Sequence, residues 1–129
     1  MELLQKAKTI AVVGLSEDMS RPSFGVSSYL QSKGDRVVPI NPQLSHVLGE
    51  KAYSSLSEAA KTEKIDIVDV FRRADAVPAI VDEVLKLGLP ALWLQEGVVH
   101  EEAAEKARKA GVVVVMDRCI LKEHSRYGL

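Results

Sequence analysis

The sequence is poor in cysteine, in aromatic residues and in net charge. One cysteine, Cys119, excludes an intramolecular disulfide, and a single chain cannot build a cysteine zinc site from it. Aromatic residues make up 5% of the chain and the formal net charge is −1. No basic stripe interleaved with aromatics is present, and no general attraction to nucleic acid or to an anionic membrane is expected. No apolar run approaches the roughly 20 residues that span a bilayer. The opening Met1-Glu2-Leu3-Leu4-Gln5-Lys6 lacks the basic start and apolar centre of a signal peptide. A soluble, cytoplasmic protein is the expectation. His46 and His100 have no partners at metal-ligand spacing and read as surface or capping residues.

What remains is 129 residues, 47% hydrophobic and 27% charged, enough for one sizeable core and too few for two ordinary domains. The apolar residues fall into five short runs: Ile10–Val13, Arg36–Ile40, Ile65–Phe71, Ala91–Leu94 and Val112–Met116. Ile10–Val13, β-branched except for Ala11, suits a strand covered on both faces in a parallel sheet. Between the five runs lie helical periods, the clearest over Ala74–Leu87, with Val77, Ile80, Val81, Val84, Leu85 and Leu87 on one face and Gly88 ending it. Residues 2–8 read as a short helical lead-in. Pro22 suits a first helical position and Gly34 a left-handed helix end. Ser55 and Glu58 stand at capping-box spacing, opening a helix to about Lys61. Glu101–Ala110 reads as a charged, solvated helix ended by Gly111, and the segment from Asp117 to His124 as a last helical turn or two. Gln43–Tyr53 has no steady period and reads as an excursion with a turn. Pro39 lacks an N–H, which places the second half of its strand at an edge or a ligand. The fully apolar Val112–Met116 is expected to be central or well covered. Strands alternating with helices predict an α/β, Rossmann-like doubly wound domain: a five-stranded parallel sheet with helices on both faces, spanning residues 1–129.

In such a sheet the ligand crevice lies beyond the carboxyl ends of the strands. The first strand runs into Gly14-Leu15-Ser16 and then Arg21-Pro22-Ser23. A glycine there lets a ligand approach the main chain, and a helix start offers unpaired N–H groups to a phosphate. The dinucleotide fingerprint G-x-G-x-x-G is absent, since Ser16 and Met19 stand where its later glycines would be. The other strands are followed by Asn41-Pro42, Phe71-Arg72-Arg73, Gln95-Glu96-Gly97-Val98 and Asp117-Arg118-Cys119. A nicotinamide dinucleotide site places an acid after the second strand to accept from the ribose. Asn41 there, with Arg72 and Arg73 one strand away, suits a ligand with more phosphate around its ribose. Coenzyme A meets that description better than NAD does, and NADP stays open on these grounds.

Val13-Gly14-Leu15-Ser16, Arg21-Pro22-Ser23, Val38-Pro39-Ile40-Asn41-Pro42, Leu48-Gly49, Asp69-Val70-Phe71-Arg72-Arg73, Leu92-Trp93-Leu94-Gln95-Glu96-Gly97-Val98 and Val115-Met116-Asp117-Arg118-Cys119 together resemble the small stand-alone coenzyme-A-binding proteins of bacteria and archaea. That family is similar to the N-terminal domain of the succinyl-CoA ligase α subunit. The resemblance spans almost the whole chain. It implies a pyrophosphate over Gly14, Leu15, Ser16 and the Arg21-Pro22-Ser23 helix start. It also implies adenosine between the Asn41-Pro42 and Phe71-Arg72 ends, and a cofactor arm bordered by Gln95, Glu96 and Gly97. The ligase α subunits carry a lysine after the second strand for the 3′-phosphate; Gln43-Leu44-Ser45-His46 offers none, which leaves Arg72 or Arg73 to substitute. The ligase's phosphorylated histidine belongs to a second domain, so ligase activity by this chain alone is not expected.

The resulting expectation is a coenzyme A or acyl-CoA binder with no chemistry of its own, acting as a carrier, sensor or accessory subunit. A small NADP-dependent or acyl-transferring enzyme is the alternative. No nucleic-acid or membrane partner is expected, and an apolar sheet edge would suit a homo-oligomer. Cys119, beside Arg118 and five residues from His124, is read as packed rather than catalytic, because a five-residue offset places His124 off the cysteine's helix face. Trp93 is read as core. Asp69 and Asp117, at strand ends, are read as bonded to nearby backbone N–H groups or to the arginines.

Overall fold

The computed structural model describes residues 2–128. Its main sheet is built from β1 (Thr9–Val13), β2 (Arg36–Ile40), β5 (Ile67–Val70), β6 (Ala91–Leu94) and β7 (Val113–Val115), in the order β2-β1-β5-β6-β7. Every pair is parallel. Helices α1 (Glu2–Lys6), α2 (Pro22–Ser32), α3 (Leu56–Ala60), α4 (Val77–Leu87), α5 (Glu101–Lys109) and α6 (Ile120–Arg126) cover it. This is the doubly wound α/β architecture that the alternating pattern predicts.

Side chains alternate across the sheet with the period of two that strands impose. Ala11, Val13, Val38, Val68, Val70, Leu92 and Leu94 face α3, α4 and α5. Ile10, Val12, Val37, Ile67, Ala91 and Trp93 face α1, α2 and α6. Burial on both faces explains why the strands are continuous apolar runs rather than alternating ones. The chain winds from β1 outward to β2, then returns past β1 to start β5. The winding therefore reverses between β1 and β5, and the crevice opens at their carboxyl ends, at Gly14 and Phe71.

The local signals act where they are expected. Pro22 opens α2, the Ser55 hydroxyl accepts from the Glu58 N–H, and His100 caps α5 through Nδ1 and the Ala103 N–H. Pro39 sits on an edge strand, where only its carbonyl is used, accepting from the Tyr53 N–H. Four expectations need correction. The 43–53 excursion contains a two-stranded antiparallel hairpin, β3 (His46–Val47) and β4 (Glu50–Lys51), turned by Leu48 and Gly49 at positive φ. The helix expected from Ala74 begins as a 3-10 turn over Ala74–Ala76 and becomes α-helical at Val77. The all-valine β7 is not central but an edge, with Val113 52% exposed. Asp69 has no backbone or arginine partner: it is fully buried between Val12 and Trp93, and neither carboxylate oxygen is hydrogen-bonded.

Candidate functional site

At the point of reversal, Gly14 adopts φ +87°, and a Cβ there would collide with the carbonyl oxygen of Phe71. The two strand ends approach as closely as they do only because position 14 has no side chain. Beyond Gly14 the loop is held by its own polar atoms. The Ser23 Oγ accepts from the Ser16 N–H (3.0 Å), the Ser16 Oγ from the Asp18 N–H (3.0 Å), and Asp18 Oδ1 from both the N–H and the hydroxyl of Ser20. Those bonds hold the Asp18 carboxyl below its usual range. At the start of α2, Pro22 contributes no N–H and the Ser23 N–H has no intrahelical partner. The helix thus presents its positive end to the hollow below the loop.

That hollow is a cavity of about 750 Å³. Ten of the residues expected at the site line it: Gly14, Ser16, Arg21, Pro22, Ser23, Phe71, Arg72, Arg73, Gln95 and Glu96. Val26, Val98 and Cys119 complete the wall. Cys119 was placed on the ligand edge by its position after the last strand. Val98 belongs to the loop expected at the ligand edge after the fourth strand, whereas Val26 carries no sequence signal beyond being apolar. Four expected residues lie elsewhere. The Leu15 side chain is fully buried in the core on the α2 face. The Asn41 side chain braces the loop from behind, its Nδ2 donating to the Leu15 carbonyl at 3.0 Å while Oδ1 accepts from the Gln43 N–H. Pro42 is exposed outside the cavity lining. The Gly97 N–H is spent on Asp117 Oδ1 at 2.7 Å.

The electrostatics of the lining are one-sided. Glu96 is paired with Lys122 at 3.1 Å. Arg21, Arg72 and Arg73 form no ion pair among the described residues. Three uncompensated guanidiniums and a helix N-terminus around one hollow favour a polyanion. The far wall is α6. Gln95, 6% exposed, accepts through Oε1 from the Ile120 N–H, fixing its carboxamide beside the Cys119 peptide. His124 faces away from Cys119. Its Nδ1 lies 3.1 Å from the Tyr29 hydroxyl and its Nε2 3.9 Å from the Asp35 carboxylate, whose protonated form burial favours. The cavity holds no cluster of metal-binding side chains among the described residues.

The family model for the CoA binding domain matches residues 8–125. This chain belongs to the CoA binding domain family. Other members and neighbours agree with that placement. The Bacillus subtilis (strain 168) uncharacterized protein YneT is 44% identical over 124 residues, covering 96% of this chain and 90% of the relative. A hypothetical protein from Pyrococcus horikoshii OT3 superposes with a TM-score of 0.92 at 36% identity, over 97% of this chain and 87% of that one. The dinucleotide forming acetyl-coenzyme A synthetase 1 of Ca. Korarchaeum cryptofilum superposes with a TM-score of 0.77 at 26% identity, and the match takes up 90% of this chain but 27% of the synthetase. The fold of this CoA binding domain thus recurs as one part of a longer acyl-CoA-forming enzyme. No described helix is long and apolar enough to cross a membrane.

Proposed function

We propose that this chain binds coenzyme A in the cavity between β1, β5 and α6, as a cytoplasmic carrier, sensor or accessory subunit without chemistry of its own. The observation that carries the reading is the set of three unpaired arginines around the Gly14 approach and the α2 N-terminus, in a member of the CoA binding domain family. In this reading the pyrophosphate lies against the bare main chain at Gly14 and beside Ser16, and the Ser23 N–H at the start of α2 donates to it; the Gly14 and Ser16 N–H groups are engaged by the Ile40 carbonyl and by Ser23 Oγ. Arg21 neutralises it, and Arg72 or Arg73 holds the 3′-phosphate. The pantetheine arm runs past Gln95 and Glu96 toward Cys119. The surroundings of the thiol speak against Cys119 as a nucleophile. The histidine nearest it in sequence is engaged by Tyr29 and Asp35, so Cys119 has no general base among its hydrogen-bond partners.

Calorimetric titration with coenzyme A, dephospho-coenzyme A, NADP and NAD tests the assignment. Coenzyme A is expected to bind tightest, and a preference for NADP would overturn it. The Arg72→Ala variant is expected to lose about tenfold in affinity for coenzyme A, the equivalent of one charge-assisted hydrogen bond of roughly 1.4 kcal/mol, and less for the dephospho form. Equal losses for the two ligands would remove Arg72 from the 3′-phosphate.

A further inference from the structure

The cavity does not end at Cys119. A second hollow of about 460 Å³ lies beyond it, and Glu96 and Cys119 line both. Its remaining wall is Met116, Asp117, Arg118, Lys122, Glu123 and Arg126. Three of these are cations: Arg118, two residues ahead of α6, and Lys122 and Arg126 on it, at the four-residue spacing that keeps two side chains on one side of a helix. Three acids share this wall, and each already accepts at least one hydrogen bond. Glu123 Oε1 accepts from Arg118 Nη1 at 2.9 Å, Asp117 Oδ1 from the Gly97 N–H at 2.7 Å, and both Glu96 oxygens from Lys122 Nζ. The cations are not used up. Arg126 comes no nearer than 3.9 Å to Glu123 and donates no hydrogen bond among the described residues. Arg118 spends one side-chain N–H of five. The unspent hydrogen-bonding capacity of this wall is therefore weighted toward donors. Its one aliphatic side chain is Met116, too little apolar surface to draw a hydrocarbon chain out of water.

We propose that this second hollow is the subsite for the acyl group of a coenzyme A thioester, and that it selects short acyl chains ending in a carboxylate. The inference rests on the coenzyme A reading above. If the phosphates lie at Gly14 and the arm passes Gln95 and Glu96, the thiol arrives at the junction marked by Cys119. Whatever is esterified to it enters the next space. A terminal carboxylate there meets the free guanidinium donors of Arg126 and Arg118, and a methyl terminus meets charged groups with nothing to offer it.

The probes are thioethers that cannot hydrolyse: S-(3-carboxypropyl)-coenzyme A and S-butyl-coenzyme A, titrated beside free coenzyme A into the full chain. The carboxylated probe is expected to bind at least fivefold tighter than the butyl one. Arg126→Ala is expected to erase that difference while free coenzyme A binds as before, since Arg126 lies outside the first cavity. Butyl binding equal to or tighter than carboxypropyl binding would overturn the subsite, as would a preference that survives Arg126→Ala and Arg126→Glu alike. Failure of free coenzyme A to bind would instead overturn the reading beneath it, and this inference with it.

Discussion

Gly14 and Asp69 are the two positions where the molecule tolerates something an ordinary side chain would not. At Gly14 the requirement is steric, because both the positive φ and the Phe71 carbonyl refuse a Cβ. Gly14→Ala is expected to cost about 1–3 kcal/mol of stability, the usual range for a residue forced into such a conformation, and to weaken coenzyme A binding as β1 and β5 separate. Denaturant unfolding and titration of the same sample check both effects. At Asp69 the requirement is electrostatic: burial raises its carboxyl well above the usual range, so the folded chain holds a proton that the unfolded chain releases above about pH 4. The native state then binds more protons than the unfolded one, and stability falls as pH rises. Asp69→Asn has nothing to ionise. The melting temperature of the variant minus that of the wild type is expected to grow more positive from pH 4 upward, levelling off only once the wild-type carboxyl ionises in the folded state. A flat difference would mean that Asp69 finds a partner in solution. The buried Ser27 Oγ on α2 is likewise without a hydrogen-bond partner among the described residues.

Among the elements, the edge strands behave differently from the central ones. β1, β5 and β6 each have a strand on both sides, whereas β7 has one neighbour and leaves Val113 half in solvent. Val113→Lys is expected to change stability by less than about 0.5 kcal/mol, while Leu92→Ala, in the fully buried β6, is expected to cost about 2–5 kcal/mol. Chemical denaturation of the two variants measures the contrast. The same contrast explains what could be read from the chain beforehand. Pro39 announces an edge because a missing N–H is a local fact. The run Val112–Met116 announces only an apolar strand, and its neighbours depend on the order in which other strands pair. β3 and β4, two residues each, are too short for any period to show. In the site, Gly14, Arg21 and the arginine pair were legible because charge and the lack of a Cβ act at their own positions. The Leu15 and Asn41 side chains lie outside the cavity, which side-chain direction decides and the chain does not announce: one turns into the core, and the other supports the loop from behind.

Over the whole molecule, a net charge near zero conceals a local imbalance, since the three arginines that line the first cavity form no ion pair among the described residues. Ionic strength should therefore matter for the ligand more than overall charge suggests. Coenzyme A affinity is expected to fall as salt rises from 0.01 to 0.15 M, where the screening length shrinks from about 30 to about 8 Å, and to fall more steeply than that of the dephospho form. Titrations across that range, run with both ligands, give the two slopes. Trp93 offers a way to follow them. It is the chain's one indole, shut away from solvent, and its Nε1–H donates to the carbonyl of Arg118, the residue next to Cys119. Emission excited to the red of the absorption of the chain's three tyrosines consequently has a single source, tethered by one bond to the rim where the two hollows meet. Any occupant that shifts that rim should register in the colour of the fluorescence, with no label attached.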